Sequence, residues 1–343
     1  MKIIFHVGAG KTGTSSIQGT LLRSSDRLKG SGVFYLGLML EFSPVKLFPW
    51  QCPSATKEFS SLSSEQAQSQ VELVLRKTIE QLEKFEVHTL VWSNEWFFGQ
   101  CGLLAHPLKR LESDGHDVEV VAYVRRHDDW ARSAYSQWGI KHKTYEGNII
   151  SFKDYDQQRR VYFAGSIKPW DQFFAQKFTL RNFDAVDDVV SDFADIVGID
   201  RSLLLAERAN DTPGGEELLL RAVFNDRRSG EVLPVVFESL FQADQIDFKK
   251  DPVAWLTEML PKPEDLYIVR EAMRGDQAEV NMLLKARGQQ ELSFDEKVAQ
   301  SYTVNANIIY SVLFQMIEQQ AIRINKLESE MVCLRKRFSV SGA

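Results

Sequence analysis

Short runs of apolar residues recur through the first part of the chain and predict buried β-strands. The runs lie at residues 2–7, 33–37, 89–93, 118–124 and 178–183. Between them, apolar residues recur every three or four positions, the spacing that places them on one face of a helix. The clearest such stretches are residues 14–23, 65–85, 128–138 and 189–197. Strands that alternate with helices predict an α/β protein whose parallel sheet is flanked by helices on both sides.

This pattern also predicts a domain organisation. Residues 1–300 are expected to form one α/β domain, in which residues 44–64 lack any period and are predicted to be loop. Residues 205–300 are mostly helical in pattern and complete that domain. Ligands of open parallel sheets bind at the carboxyl ends of the strands, which directs attention to the segments after the first, third and fourth predicted strands.

Residues 301–343 are predicted to form a separate C-terminal helix with a heptad pattern. Its apolar positions alternate in spacings of four and three, at Leu313, Ile317, Ile324, Leu327, Met331, Leu334 and Phe338, with Gln320 at one polar position. This pattern is typical of a coiled coil, and it predicts a homo-oligomer formed through residues 313–338. A single amphipathic helix that folds back on its own domain has the same pattern, so the sequence leaves both interpretations open.

Composition narrows the class of protein. The 343-residue chain carries 41 basic and 47 acidic residues, a net charge of −6, so we expect no nucleic-acid partner. Cys52, Cys101 and Cys333 are too widely spaced for a zinc knuckle or a disulfide scaffold, and they indicate a reduced compartment. The longest apolar stretch, around residues 33–40, is far short of the ~20 residues of a membrane helix. The N-terminal apolar run is too short for a signal peptide. We therefore expect a cytoplasmic protein without an integral membrane segment.

A glycine-rich turn follows the first predicted strand. The sequence from His6 to Gln18 reads HVGAGKTGTSSIQ, and the turn comes immediately before a helix that begins near Thr14. Glycines bring backbone amides close to a ligand, and the first N–H groups of a helix attract anions. Lys11 adds a full positive charge, and hydroxyl side chains follow it at Thr12, Thr14, Ser15 and Ser16. The turn therefore predicts a phosphate or sulfate site.

Two known anion-binding loops fit this turn incompletely. The spacing Gly8-x-Gly10-x-x-Gly13 matches the dinucleotide fingerprint, but no acidic residue ends the second strand, where one is needed to hold a ribose. Residues 10–12 match the end of a nucleotide P-loop, but the first glycine of that motif would fall on Phe5, inside the strand.

A third anion loop fits without omissions. The string HVGAGKTGTSSIQ closely resembles the 5′-phosphosulfate loop of sulfotransferases that use 3′-phosphoadenosine 5′-phosphosulfate (PAPS). The resemblance implies that Lys11 binds the 5′-phosphate and meets the bridging oxygen to sulfur. The co-substrate-binding residues that it implies in this loop are Gly10, Lys11, Thr12, Gly13, Thr14, Ser15 and Ser16. At the position of Ser16, cytosolic members have a tryptophan that stacks on adenine. Bacterial and carbohydrate-acting members resemble this chain in lacking that tryptophan.

A second segment supports the same resemblance. The sulfotransferase 3′-phosphate motif is a strand that ends in arginine, followed eight residues later by a serine on a helix, and Arg125 and Ser133 have this spacing. An arginine at a strand tip can direct two donors onto a phosphate, and the serine can add a hydroxyl. Arg126 is the neighbour that could share this contact. The alternative is that the arginines of this segment form ion pairs with Asp128 and Asp129.

Three residues are candidates for catalysis. Glu95 follows the third predicted strand at the ligand-binding edge, and we expect it to be the base that takes a proton from the acceptor. Lys11 is expected to act at the transferred group, and His6 is the reserve candidate for the base. Ser93 is a further candidate contact for nucleotide or acceptor. Structural alternatives stay open, with Glu95 as a carboxylate at a helix N-terminus and His6 as a buried structural residue.

The resemblance covers about residues 1–225 and implies a PAPS-dependent sulfotransferase with a P-loop-like core. Such an enzyme transfers a sulfuryl group to a hydroxyl of a carbohydrate or glycolipid acceptor, and no metal is expected. Two other functions stay open. One is a kinase-like P-loop phosphotransferase, and the other is a non-enzymatic interaction protein that works through its C-terminal helix.

Overall fold

The structure is a computed structural model of the chain. It describes residues 1–205, 215–226, 228–239 and 252–294, and in the C-terminal helix residues 309, 310, 313, 317, 320 and 323–331. The predicted heptad positions Leu334 and Phe338 lie outside the described residues.

Strands and helices alternate along the chain. The strands are β1 (Lys2–His6), β2 (Val33–Tyr35), β3 (Thr89–Ser93), β4 (Asp117–Val124) and β5 (Phe178–Asn182). The helices are α1 (Thr14–Arg23), α2 (Ser25–Gly30), α3 (Thr56–Ser60), α4 (Ser64–Leu82), α5 (Cys101–Ser113), α6 (His127–Ala134), α7 (Phe152–Arg159), α8 (Phe163–Phe174), α9 (Val189–Val197), α10 (Gly215–Asp226), α11 (Pro234–Ser239), α12 (Pro252–Met259) and α13 (Pro263–Lys285). Shorter 3₁₀ segments lie at Glu83–Phe85, Glu95–Gly99, Ala175–Lys177, Phe183–Ala185 and Arg201–Leu203, and a π-helical segment lies at Tyr135–Lys141.

The strands of the described residues form one five-stranded sheet in the order β2-β3-β1-β4-β5. β1 lies at the centre, where Ile4 pairs with Val91 of β3 and with Glu119 of β4. Every pair of neighbouring strands in this sheet is parallel. The carboxyl ends of all these strands therefore meet at one edge of the sheet, where ligands of such folds bind.

Alternating side chains of the strands build a separate core on each face of the sheet. Ile3 and Phe5 of β1 belong to the first core, together with residues of α4, α5, α8 and α13 such as Val74. Ile4 belongs to the second core, which α1, α2 and α9 cover with residues such as Ile17. Because both faces are covered, the strands are apolar on both sides and form continuous apolar runs in the sequence.

The chain divides into two compact units. The first comprises Met1–Tyr135, Phe152–Thr212 and Pro261–Ala299, and it contains the whole sheet. The second comprises Ser136–Ser151, Pro213–Leu260 and Gln300–Ala343, and it contains α10, α11 and α12. The predicted boundary near residue 300 stays a prediction.

The predicted α/β class, a parallel sheet flanked by helices, is confirmed. Residues 44–64 are not loop throughout, because α3 forms within them and buries Phe59. The sequence pattern also missed α5 and α8, which contain Pro107 and Pro169 in their interiors. Proline normally disrupts a helix by removing a hydrogen bond, and burial of the apolar face outweighs that cost in both helices. In the described part of the chain, no helix is at once long and apolar enough to span a bilayer.

Candidate active site

The segments that follow β3, β1 and β4 lie side by side at the carboxyl edge of the sheet. β1 pairs with β3 on one side and with β4 on the other, and His6 at its end is in register with Ser93 and Val121. The glycine loop after β1, Glu95 after β3 and Arg125 after β4 therefore share one edge.

The loop after β1 turns through two residues with left-handed backbone. Lys11 has a φ of 69° and Gly13 a φ of 79°. Glycine adopts such angles freely, whereas a lysine does so at a cost of about 1–3 kcal/mol, and such strain is concentrated at functional sites. Gly13 is also the N-cap of α1, so the cap position has no side chain to bond the first N–H groups, and no acidic residue lies in the first turn. The N-terminal end of α1 is therefore suited to an anion from a ligand.

Three side chains hold successive carbonyl groups of this loop. The Thr12 hydroxyl and the Trp130 indole donate hydrogen bonds to the carbonyls of residues 9 and 10, the latter at 2.8 Å. Arg125 Nη1 donates to the carbonyl of Lys11 at 3.1 Å. These bonds fix the conformation of the loop through protein contacts alone, so little ordering remains for a ligand to impose.

Gly13 lies close to two side chains beyond β5. A Cβ atom on Gly13 would come within 2.6 Å of Val189 Cγ1 and 3.1 Å of Phe183 Cε2. The available space and the positive φ therefore both require glycine at this position. Phe183 also lies beside Arg125, whose guanidinium carbon is 5.2 Å from the centre of its ring. This ring contact is a cation–π interaction that limits where the guanidinium can lie.

Arg125 joins the two predicted anion motifs. Its Nη1 donates to the Lys11 carbonyl, and its Nη2 lies 3.6 Å from Asp184 Oδ1. Its Nε is buried and has no hydrogen-bond partner among the described residues. Leaving a buried donor unpaired costs about 1–3 kcal/mol. The guanidinium therefore has hydrogen-bonding capacity for an anion next to the loop.

Arg126 makes a different set of contacts. Its side chain is buried, and its Nη2 donates to Asp128 Oδ2 at 2.8 Å while Arg270 of α13 donates to the same oxygen at 2.9 Å. Burial alone would raise the pKa of the Asp128 carboxyl, but its hydrogen bonds to the two arginines lower the pKa by a larger amount. The pKa of this carboxyl therefore lies below its usual value. The ion-pair alternative therefore describes the Nη2 contact of Arg126, whereas its buried Nη1 has no hydrogen-bond partner among the described residues.

The other predicted binding residues differ in their burial. Thr12 and Thr14 are buried, Ser16 is half-buried and Ser15 is exposed. Ser133 lies near the end of α6 and is half-buried. Thr12 therefore shapes the loop through its internal bond, whereas Ser15 is open to an approaching ligand.

Glu95 begins the 3₁₀ segment after β3, and Gln18 of α1 holds its carboxylate. Gln18 Nε2 donates to Glu95 Oε2 at 2.8 Å. The preceding Asn94 caps the segment, because its side chain accepts from the Trp96 N–H at 2.9 Å and donates to the Leu38 carbonyl at 2.9 Å. Gln18 thus holds the carboxylate of half-buried Glu95, and the bonds of Asn94 hold the backbone segment that carries it.

His6 lies buried behind this pair. Its Nδ1 is 2.8 Å from Ser93 Oγ, and Gln18 Nε2 is 3.4 Å from the same hydroxyl. Burial lowers the pKa of His6 to about 3, so the imidazole is neutral at physiological pH. Its Nε2 is buried with no partner in the described structure, and a Cβ on Gly8 would lie only 2.7 Å from it. Its polar contacts connect His6 to Glu95 through Ser93 and Gln18.

Several residues of this site have no role that the sequence alone predicts. Gln18 follows Thr14 by four positions, so helical spacing alone could have placed it on the loop-facing side of α1. Asp184 follows the end of β5, so the strand-end rule could have found it. Trp130 carries no comparable signal, because its contact with the loop depends on how distant elements pack.

Comparisons with known proteins give similarities at the level of solved structures. No family model matches the chain, and no curated protein sequence matches it significantly. The chain is similar to the sulfotransferase domain of the Synechococcus PCC 7002 olefin synthase, with 12% identity over 76% of this chain and 96% of that chain and a TM-score of 0.32. It is also similar to retinol dehydratase in complex with retinol and PAP, with 16% identity, 59% of this chain and 62% of that chain covered, and a TM-score of 0.30. These similarities are low, so the assignment of function depends on the residues of this chain.

Proposed function

We propose that this protein is a sulfotransferase that uses PAPS and transfers the sulfuryl group to a hydroxyl of a carbohydrate or glycolipid. The observation that carries the proposal is the contact between the two anion motifs, in which Arg125 Nη1 donates to the Lys11 carbonyl at 3.1 Å. A nucleotide with phosphates at its 5′ and 3′ positions needs two anion sites on neighbouring strand ends. A kinase-type P-loop has no use for the second, so this contact favours PAPS over ATP.

Lys11 and the N-terminus of α1 are assigned to the 5′-phosphosulfate. The helix begins without a capping side chain or an acidic residue, so an anion is stabilised there by the N–H groups and the helix dipole. The left-handed backbone of Lys11 supports the same assignment, because strain of this kind persists where function requires it. The Lys11 ammonium can then neutralise the charge that develops on the 5′-phosphate oxygen as the transferred group leaves.

Arg125 is assigned to the 3′-phosphate. A phosphate beside it would pair with the buried Nε, which has no partner among the described residues, and with a second N–H of the same guanidinium. Ser133 is assigned to this phosphate by the eight-residue spacing of the motif, about two helical turns beyond the strand tip. Asp184, 3.6 Å from Nη2, keeps the guanidinium oriented when no ligand is bound.

Glu95 is assigned as the general base. In the reaction, a bond forms between the acceptor oxygen and sulfur, the bond from sulfur to the 5′-phosphate oxygen breaks, and the acceptor proton passes to Glu95. The bond from Gln18 holds one carboxylate oxygen at 2.8 Å, which keeps the proposed base in one orientation toward the acceptor. A positioned base contributes ~10²–10⁴-fold to such a rate. Neutral, buried His6 is assigned a positioning role behind Ser93 rather than a proton transfer of its own.

The acceptor class rests on the resemblance of the loop to bacterial and carbohydrate-acting members at Ser16. Trp96 supports it, because this half-buried indole adjoins the proposed base and is the kind of aromatic surface that can pack against a sugar ring. The cytoplasmic location and the lack of a metal requirement stay predictions from the sequence.

Replacement of the proposed base tests this assignment. Glu95→Gln should lower the consumption of PAPS in the presence of a panel of oligosaccharides and glycolipids by ~10²–10⁴-fold and leave nucleotide affinity unchanged. The matched control is Glu83→Gln, which alters an exposed carboxylate on another 3₁₀ segment and should have no effect. Unchanged turnover in Glu95→Gln would remove Glu95 from the role of base. Turnover of ATP with magnesium, and none of PAPS, would favour the kinase-like alternative instead.

A further inference from the structure

The C-terminal helix carries an apolar stripe that is open to solvent. Ile317, Ile324, Leu327 and Met331 each expose just over half of their surface, between 53% and 54%. Every residue of the stretch 323–331 is exposed. A helix gains its stability in proteins mainly from burial of an apolar face, and a solitary helix of this length is marginal in water. The stripe therefore calls for a partner surface that covers it.

The spacing of the stripe identifies the kind of partner. With Ile317 at heptad position a, the a positions hold Ile317, Ile324 and Met331, and the d positions hold Leu313, Gln320 and Leu327. Isoleucine at a combined with leucine at d favours a coiled coil of two parallel helices. Gln320 supplies one polar position in the seam, which lowers the stability of the pairing at that point. The pattern thus specifies a coiled coil of two chains better than a helix lying on a globular surface.

The flanking charges select one arrangement of the two helices. In a parallel, in-register dimer, each g residue faces the e residue that lies five positions further along the other chain. Arg323 at g then faces Glu328 at e. This charged pair is attractive, and the symmetry of the dimer makes it occur twice. The helix is therefore complementary to a second copy of itself.

We propose that the C-terminal helix pairs with the same helix of a second copy of this chain as a parallel two-stranded coiled coil, with Ile317, Ile324, Leu327 and Met331 in the seam. The pairing covers the exposed stripe and matches the charged pairs on its flanks. It makes the protein a homodimer whether or not the proposed sulfotransferase activity is correct. The nucleotide site lies on other segments of the chain, so nucleotide binding and dimer formation can be tested separately.

Sedimentation equilibrium of the full chain tests the pairing. The native chain should be a dimer, and Leu327→Lys should weaken the dimer by at least about tenfold because it places a charge in the seam. The matched control is Lys326→Ala, which alters an exposed residue outside the seam and should leave the dimer intact. Since Leu327 is exposed, its replacement should also leave the thermal unfolding of the α/β unit unchanged. A native chain that is monomeric at every concentration, or a dimer that Leu327→Lys does not weaken, would overturn the proposal.

A charge exchange tests the orientation. Arg323→Glu and Glu328→Arg should each weaken the homodimer, because each places like charges opposite one another. A mixture of the two variant chains should form a heterodimer as stable as the native dimer, since both facing pairs are again of opposite sign. Homodimers that neither change weakens, or a mixture with no preference for the heterodimer, would overturn the parallel, in-register arrangement. A trimer in the native chain would overturn the two-stranded state.

Discussion

The side-chain amide of Gln18 donates a 2.8 Å hydrogen bond to Oε2 of Glu95, and it joins the helix after β1 to the segment after β3. The same nitrogen lies 3.4 Å from the hydroxyl of Ser93, which is bonded to His6. One side chain therefore connects the proposed base to a buried polar pair behind it. A hydrogen bond to a charged group is worth about 1.5–3 kcal/mol, enough to hold the carboxylate in one orientation.

Gln18→Leu should lower the rate of transfer without changing nucleotide affinity. The change removes both amide donors and keeps an apolar stem of similar size, so Glu95 loses its fixed orientation. We expect a fall of about tenfold in kcat, in the range of a lost positioning contact. The matched control is Gln68→Leu, which removes a similar amide on α4 that donates to the Gly102 carbonyl. An unchanged kcat in Gln18→Leu, measured beside an unchanged affinity for adenosine 3′,5′-bisphosphate, would show that this bond does not serve catalysis.

Gly13→Ala should destabilise the fold and weaken nucleotide binding together. The new methyl would lie 2.6 Å from Val189 Cγ1 at a backbone φ of 79°. Gly115→Ala is the matched control, because Gly115 has a φ of 94° but a Cβ there would meet nothing within 4 Å. Gly115→Ala should lower the free energy of urea-induced unfolding only by the backbone strain, about 1–2 kcal/mol. Gly13→Ala should cost more than that, and equal costs would contradict the close contact of the loop with Val189.

His6→Gln should make the stability less sensitive to acid. The folded-state pKa of about 3 lies below the ordinary value of 6.5, so between these two pH values the unfolded chain binds a proton that the native chain does not. Stability therefore falls as the pH is lowered through this range, by up to about 1.4 kcal/mol per pH unit. Between pH 7 and pH 5, His6 lowers the free energy of unfolding by about 2 kcal/mol. His6→Gln should not show this decrease.

Urea-induced unfolding at the two pH values measures this difference. The control is His106→Gln, which makes the same substitution at an exposed histidine, so the comparison isolates the effect of burial at His6. If His6→Gln and the native chain lose equal free energy between pH 7 and pH 5, His6 is not held neutral by burial.

The elements that can be predicted from the sequence are those whose pattern is repeated locally. The apolar run at residues 89–93 predicts a strand, and β3 lies at Thr89–Ser93, because a strand buried on both faces is apolar at every position. The strand-end rule likewise predicts that Lys11, Glu95 and Arg125 share one edge of the sheet, as the strand order confirms. These predictions succeed because they need only the order and direction of the strands.

The parts that could not be predicted depend on distant packing. Arg125 and Arg126 are adjacent and chemically identical, yet one bonds the loop and the other forms a buried pair with Asp128. Nothing local separates them, because the choice depends on where Asp184 and Arg270 come to lie. The hydrogen bond from Trp130 to the Gly10 carbonyl likewise depends on distant packing, and no local pattern predicts it.

A calorimetric titration with adenosine 3′,5′-bisphosphate, compared with AMP and with ATP plus magnesium, tests the central claim most directly. We predict that the bisphosphate binds more tightly than AMP, and that Lys11→Ala and Arg125→Ala each weaken its binding by at least about tenfold, as expected for a lost charge-assisted contact. Lys29→Ala, which removes an exposed charge on α2, should leave the affinity unchanged. Binding of ATP with magnesium, and none of the bisphosphate, would contradict the assignment of Arg125 to a 3′-phosphate and with it the sulfotransferase function.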